Sequence, residues 1–290
     1  MKLGSLGRRS LRLWPIGLWA SLAMGLGATA AGASTPSIIV TYNLEYSGLV
    51  SLDVGRATVQ YSATGAGYQL ALSFRPSASA RSLEVGPAVV RSSGAVLPKG
   101  LSPQAASLDY SIRSLAETRV FTIVGDRLQT VHITKKKSGG LFKGSTSFAY
   151  DPRQLPAYAP LSDSDQRNVL DPLSAMLLPI SGKGALDRAN CERRVRIYDG
   201  RRRFDLVLTY RGAESAGGSG EALVCGATYV PIAGHSVGGD EFTESMSEYH
   251  IAVALVPAPG SNFLIPSRIS LTDGSGTPVA EARAIAISGR

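Results

Sequence analysis

From Ile38 onward, apolar and polar residues alternate with a period of two, and this alternation restricts the chain to β structure with one face turned inward. A first series of runs covers Ile38 to Tyr46, Gly55 to Tyr61, Tyr68 to Phe74, Ala105 to Ile112, Arg119 to Val124 and Leu128 to Ile133. A second covers Arg194 to Tyr198, Phe204 to Tyr210, Ala222 to Val230, Tyr249 to Val256, Ser267 to Leu271 and Pro278 to Ile287. The runs are rich in β-branched residues and tyrosine and are bounded by Gly, Asp or Ser. About 10–12 short strands at this spacing predict a mainly β fold, either a curled antiparallel sheet or a partly open β-barrel, in preference to βαβ units. No repeat of fixed period is present, which argues against a solenoid or propeller. Gly125-Asp126 and Asp199-Gly200 are the predicted hairpin turns, because both pairs tolerate positive φ.

The alternation breaks once. Lys135 to Asp165 holds a Lys-Lys-Lys run, several glycines and Pro152, Pro156 and Pro160, and reads as a long exposed loop over about 135–165. A short helix is predicted after it, near residues 172–179. Asp171 would be its N-cap and Pro172 its first residue, Leu173, Met176 and Leu177 would share a face, and Pro179 and Gly182 would end it.

Residues 1–33 read as a targeting segment. Lys2, Arg8, Arg9 and Arg12 precede an apolar run from Leu13 to Leu26, followed by small residues ending in Ala31-Gly32-Ala33. The run is shorter than the ~20 residues needed to cross a bilayer, so a cleaved signal peptide is favoured over an anchor, with cleavage after Ala33. Residues 34–290 then form a single antiparallel β domain, exported to the periplasm and left without a transmembrane anchor. Four of the 30 basic residues and none of the 22 acidic ones lie in the leader, so the formal charge of +8 falls to +4. The basicity is therefore partly an export signal, and export itself argues against nucleic acid as a partner.

Export also gives Cys191 and Cys225 a meaning. They are the two cysteines of the chain and would meet an oxidising compartment, where a disulfide is the default and a catalytic thiol the sharper alternative. Closing a loop of about 35 residues contributes roughly 3–4 kcal/mol from chain entropy.

Seven basic residues fall between Arg188 and Arg203. With a two-residue turn at Asp199-Gly200, Tyr198 would face Arg201, Arg196 would face Arg203 and Arg194 would face Asp205. Val195, Ile197, Phe204 and Leu206 would enter the core, and Arg194, Arg196, Arg201 and Arg203 would cluster on the other face. Such a face is either solvated, braced by carboxylates such as Glu241, Glu244 and Glu248, or the rim of a site for a phosphate or carboxylate, with His235 nearby.

Gly234-His235-Ser236-Val237-Gly238 matches the G-x-S-x-G nucleophile elbow, which would make Ser236 the nucleophile of a serine hydrolase. The elbow needs a parallel sheet and a later acid and histidine, whereas the later histidine here is His250 and no βαβ pattern surrounds the motif. A glycine-rich connection between strands is the expectation, with no catalytic residue assigned. His132, His235 and His250 show no metal-ligand spacing, and no cofactor motif is present.

Asp171-Pro172-Leu173-Ser174, Cys191, the segment Tyr198 to Leu206, Cys225 and Tyr229 to His235, in that order and spacing, resemble the bacterial family called domain of unknown function 3108. Pro259-Gly260 through Pro266 to Ile269 looks like that family's ending. The resemblance implies a periplasmic or envelope-associated β-rich protein without assigned activity, offers Cys191 with Cys225 as a disulfide, and gives Gly234-His235 a non-catalytic explanation. The expected function is binding or structural, with an envelope lipid, glycan or polypeptide as ligand and an oligomeric state left open. The alternative is an envelope-modifying hydrolase using Ser236.

Overall fold

The computed structural model describes residues 36–288 except 126, 130, 138–143, 152–157, 217–219, 240 and 274–275, with backbone alone at 150 and 241. The predicted signal segment and the predicted cleavage site after Ala33 lie outside the described residues. The first half of the chain forms β1 (Ser37–Ser47), β2 (Leu52–Thr64), β3 (Gly67–Pro76), helix α1 (Ala78–Ser82), β4 (Val85–Leu97), β5 (Gly100–Ile112), β6 (Leu115–Val124), β7 (Arg127–Leu128), β8 (Val131–Lys137) and β9 (Gly144–Tyr150). The second half forms β10 (Leu178–Pro179), β11 (Arg194–Tyr198), β12 (Arg203–Ser215), β13 (Glu221–Ala233), α2 (Glu241–Glu248), β14 (His250–Pro257), β15 (Phe263–Thr272) and β16 (Thr277–Ser288).

All these strands belong to one antiparallel arrangement with the order β11-β12-β13-β14-β15-β16-β1-β2-β3-β4-β5-β6-β8-β9, with β10 on β15 and β7 on β6. The sheet is open, with β9 and β11 as its edges. The first and last strands meet in its middle, where β1 pairs with β16 from Ser37↔Ser288 to Ser47↔Thr277. Apart from the β16–β1 pairing, each step joins antiparallel strands that follow one another closely along the chain, so the period-two pattern of each strand carries into its neighbour.

Bulges give the sheet its curl. Register shifts fall at Thr41/Tyr42, Leu44/Glu45, Ser93/Gly94, Tyr210/Gly212 and Ala254/Leu255, and each adds local twist and bend to the strand that carries it. At Gly94 a Cβ would collide with the Ser102 carbonyl oxygen on β5, so glycine is required for the two backbones to come this close.

Inside the curl sit Ile38, Val40 and Tyr42 of β1, Val59 and Tyr61 of β2, Tyr68 and Leu70 of β3 and Ile265 of β15. The segment after residue 170 fills the space between them, with Leu173 and Leu177 each 2% exposed. The short helix predicted near 172–179 is present but shorter than its sequence signals imply. Asp171 does cap a turn, accepting from Leu173 N–H and Ser174 N–H at 3.0 Å each. The turn is a single 3-10 stretch, Ser174–Met176. Leu177 is already extended, and Leu178-Pro179 pairs with Leu264-Phe263 as β10, so strand pairing captures the residues that would have continued the helix.

The predicted loop over 135–165 is corrected. Lys135, Lys136 and Lys137 lie on β8, opposite Glu117, Ala116 and Leu115 of β6, and 144–150 pair with β8 as the edge strand β9. Lysines are compatible with an exposed strand near a sheet edge, where they discourage pairing with other chains. The α-helices lie elsewhere, at 78–82 and 241–248. Among the described residues no helix is long and apolar enough to cross a membrane.

Candidate functional site: a cation-lined cleft

The basic hairpin is more tightly built than its sequence pattern predicts. Asp199 Oδ1 accepts from Arg201 N–H at 2.8 Å and Arg202 N–H at 2.6 Å, and Gly200 adopts φ +83°. The loop therefore runs over 199–202, four residues rather than two, and Tyr198 pairs with Arg203, Arg196 with Asp205 and Arg194 with Val207. The shift is an even number of residues, so the predicted faces survive while the partners change.

The four arginines assigned to one rim divide into two groups. Arg203 is 1% exposed, with its guanidinium on Asp205 Oδ1 and its Nε donating to the Asp165 carbonyl at 2.9 Å. Burial draws its pKa below the ordinary arginine value, and the Asp205 carboxylate opposes that effect. Arg201 donates to the Tyr158 hydroxyl at 2.7 Å and lies over that ring. The polar face of the hairpin is covered here by the 158–170 segment, which local sequence spacing does not reveal. Arg203 is thus a brace and is withdrawn from the rim. The braces proposed from Glu244 and Glu248 are replaced by Asp205 and Asp199, while the Glu241 side chain lies outside the described residues.

Arg194 and Arg196 lie on the same face as Arg203 but also reach a cleft beside β11. Together with Lys99 and Arg193 they line a cleft of about 430 Å³ between the β4–β5 turn, the end of β6, the 168–179 segment and β11. Leu101, Ile123, Val169, Leu178 and Val195 supply buried apolar surface to it. Arg193 donates to the Pro179 carbonyl at 2.9 Å and to Asn190 Oδ1 at 2.9 Å, and also reaches Ser181 Oγ. Arg196 donates to the Ser164 carbonyl at 2.6 Å, and Arg194 reaches Asp205 Oδ2 at 2.7 Å. Sequence reasoning missed Lys99 and Arg193. Pro98-Lys99-Gly100 is a legible turn signal, but β4, which leads into it, lacks a clean alternation.

One part of the curled sheet, β6, is latched to the β11–β12 hairpin. Arg119 of β6 contacts Glu117, lies 3.7 Å from Asp199 Oδ1 and donates to the Asp199 carbonyl at 3.4 Å. Phe121 meets Tyr198 edge-on at 5.2 Å. Asp199 and Glu117 raise the Arg119 pKa against the opposing effect of burial. Glu117 carries the opposite balance: burial pushes its carboxyl up, but Arg119 and Lys135 together hold it below its ordinary value. A depressed carboxylate contributes stability above its unfolded pKa and loses it as pH falls through the folded one. We therefore expect wild-type stability to fall in acid below about pH 4, and the Glu117→Gln variant, less stable at pH 7, to show a shallower acid loss. Urea midpoints between neutral and acid pH check this, and parallel curves for the two proteins would contradict it.

His235 and the G-x-S-x-G segment lie beside the hairpin loop and outside the lining of the cleft. Gly234 has φ +71°, and a Cβ there would collide with the Arg201 carbonyl. His235 is 6% exposed, with Nδ1 2.8 Å from Thr243 Oγ1 and its ring edge-on to Tyr229, so it ties α2 to β13. Ser236 bridges to Tyr158. A strand, turn and helix do follow one another here, but the sheet is antiparallel, and the later histidine, His250, is exposed at the start of β14. The placement of His235 is that of a structural tie, not of a rim residue. Among the described residues no three His, Cys, Asp or Glu side chains assemble as a metal site.

Cys191 and Cys225 are joined, their Cα atoms 5.3 Å apart and both side chains fully buried. The bridge pins the short turn before β11 to β13, two residues from Arg193.

Fold and site together define a mainly β protein with a curled open sheet and an apolar, cation-lined cleft, and nothing in them indicates catalysis. The chain belongs to the family described as "Protein of unknown function (DUF3108)", whose model matches residues 41–241. No curated protein matches it. Among solved structures it is similar to a crystal structure from Brucella abortus described as a beta-barrel-like protein of domain of unknown function DUF1849. The two share 11% identity over 87% of this chain and 98% of that one, with a TM-score of 0.38.

Proposed function

We propose that this is an exported protein of the bacterial periplasm that binds a small envelope ligand in the cleft beside β11. The observation that carries the proposal is the cleft itself, whose volume of about 430 Å³ and buried apolar lining have the size and character of small-ligand sites. The N-terminal segment, with its basic start, short apolar run and Ala31-Gly32-Ala33, supports export and cleavage. Binding is favoured over hydrolysis because the glycine motif holds a histidine that ties α2 to the sheet rather than a recognisable relay.

Native mass spectrometry of the protein isolated from its own periplasm tests this directly. The expected result is a chain beginning at Ser34, lighter by two hydrogens for one disulfide, and carrying a small molecule that leaves on collisional activation. A chain that is uniformly ligand-free, or that retains residues 1–33, would remove the corresponding half of the proposal. Covalent labelling of Ser236 by a fluorophosphonate would replace binding with hydrolysis.

A further inference from the structure

We infer that the ligand of this cleft is an amphiphile, one apolar chain carrying an anionic carboxylate or phosphate head, with the head held at the mouth by Lys99, Arg194 and Arg196. The inference rests on the binding role proposed above and names its ligand class. Among the described residues, four cations and no carboxylate line the cleft. Their partners leave part of this charge uncompensated. Arg193 and Arg196 are held by neutral oxygens, and the one carboxylate that reaches Arg194, Asp205, also serves the buried Arg203. An anion entering here meets positive potential in a partly desolvated setting, where charge-assisted hydrogen bonds are strongest.

The lining is also polarised along its depth. Lys99 is exposed, and the Arg194 side chain is 57% exposed. Leu101, Ile123, Val169, Leu178 and Val195 are each less than 10% exposed and form the interior. A charged head at the surface and an apolar chain directed inward match this order. A glycan fits less well, because among the described residues no aromatic ring lines the cleft and its uncharged polar side chains are Ser102 and Asn168. An extended polypeptide would need a longer groove than about 430 Å³ provides.

The test uses protein expressed from the full 290-residue sequence in an exporting cell and stripped of lipid on a hydrophobic resin. Displacement of a fluorescent fatty acid is measured with three probes of equal chain length: palmitic acid, palmitoyl lysophosphatidic acid and neutral monopalmitin. We expect one or both anions to bind at least about tenfold more tightly than monopalmitin, with the preference shrinking as salt is raised. Which anion binds more tightly identifies the carboxylate or the phosphate source. Lys99→Glu and Arg196→Gln are each expected to weaken anion binding about tenfold or more while leaving monopalmitin unchanged. Lys99 is exposed, so its substitution tests charge without endangering the fold, and unfolding midpoints verify this. Monopalmitin binding as tightly as the anions, or folded variants with wild-type anion affinity, would overturn the anionic head and leave the cleft reading standing. Failure of all three probes would overturn the amphiphile. A co-purified sugar or peptide in the native mass spectrum would then show that the binding role itself survives.

Discussion

Replacing Asp171 with alanine is expected to destabilise the protein by roughly 3–5 kcal/mol, one of the two largest single effects in the molecule. Asp171 is 0% exposed. Its Oδ1 takes the two backbone N–H groups of the 3-10 turn, and its Oδ2 accepts from Ser92 Oγ on β4 at 2.6 Å and from Ser174 Oγ at 2.5 Å. Tyr68 of β3 closes the group, 2.8 Å from Ser174 Oγ, and burial pushes its hydroxyl up to about 12. Removing the carboxylate leaves these donors without their acceptor in an apolar interior and unpins from the sheet the turn that carries Leu173 and Leu177. Asp171→Asn keeps one acceptor and the shape, and the hydroxyls can rotate to accept from its amide, so its cost is expected to be nearer ~1–2 kcal/mol. Urea denaturation of both variants checks the order. Equal costs for Ala and Asn would show that the hydrogen-bonded cluster is not what holds the turn.

The second large effect is loss of the Cys191–Cys225 bridge. The double variant Cys191→Ser/Cys225→Ser releases a 34-residue loop and is expected to cost about 3–4 kcal/mol from chain entropy, with a further penalty for burying two hydroxyls. For a chain of this size that lowers the melting temperature by roughly 10 °C. Because the bridge is two residues from Arg193, the same variant should also loosen the cleft wall that carries Arg193 to Arg196. A melting temperature unchanged from wild type, with or without reductant, would show that the bridge contributes nothing to the folded state.

The β strands, their facing and the family were legible because they are local. In the hairpin, Val195 and Ile197 point inward as the alternation predicts, and they do so even though the loop has four residues instead of two. Period-two patterning is blind to an even shift of register, so it reports faces and leaves partners undetermined. The same locality explains why the helix ends earlier than predicted. The Asp171 cap was real, but whether Leu178-Pro179 would continue a helix or pair with Phe263-Leu264 depended on a strand more than 80 residues away. Lys135 to Lys137 read as loop because lysine has low β propensity, and only their pairing with β6 places them in the sheet.

The sequence by itself determined a mainly β chain of period two, a leader-like start, a cysteine pair and a dense patch of arginine. What those arginines do was decided by the tertiary structure. Bulges curl the sheet until β6 meets the β11–β12 hairpin, and the Arg119, Glu117 and Asp199 contacts latch it there. The 158–170 segment then packs on the hairpin, turning Arg203 into a buried brace and holding Arg196 through the Ser164 carbonyl, while Arg194 and Arg196 also line a cleft whose other walls include Lys99, Leu101, Ile123, Val169 and Leu178. Spacing along the chain encodes which face a residue occupies. The identity of what that face meets depends on loop closure and curvature summed over the whole sheet, and no local pattern records it.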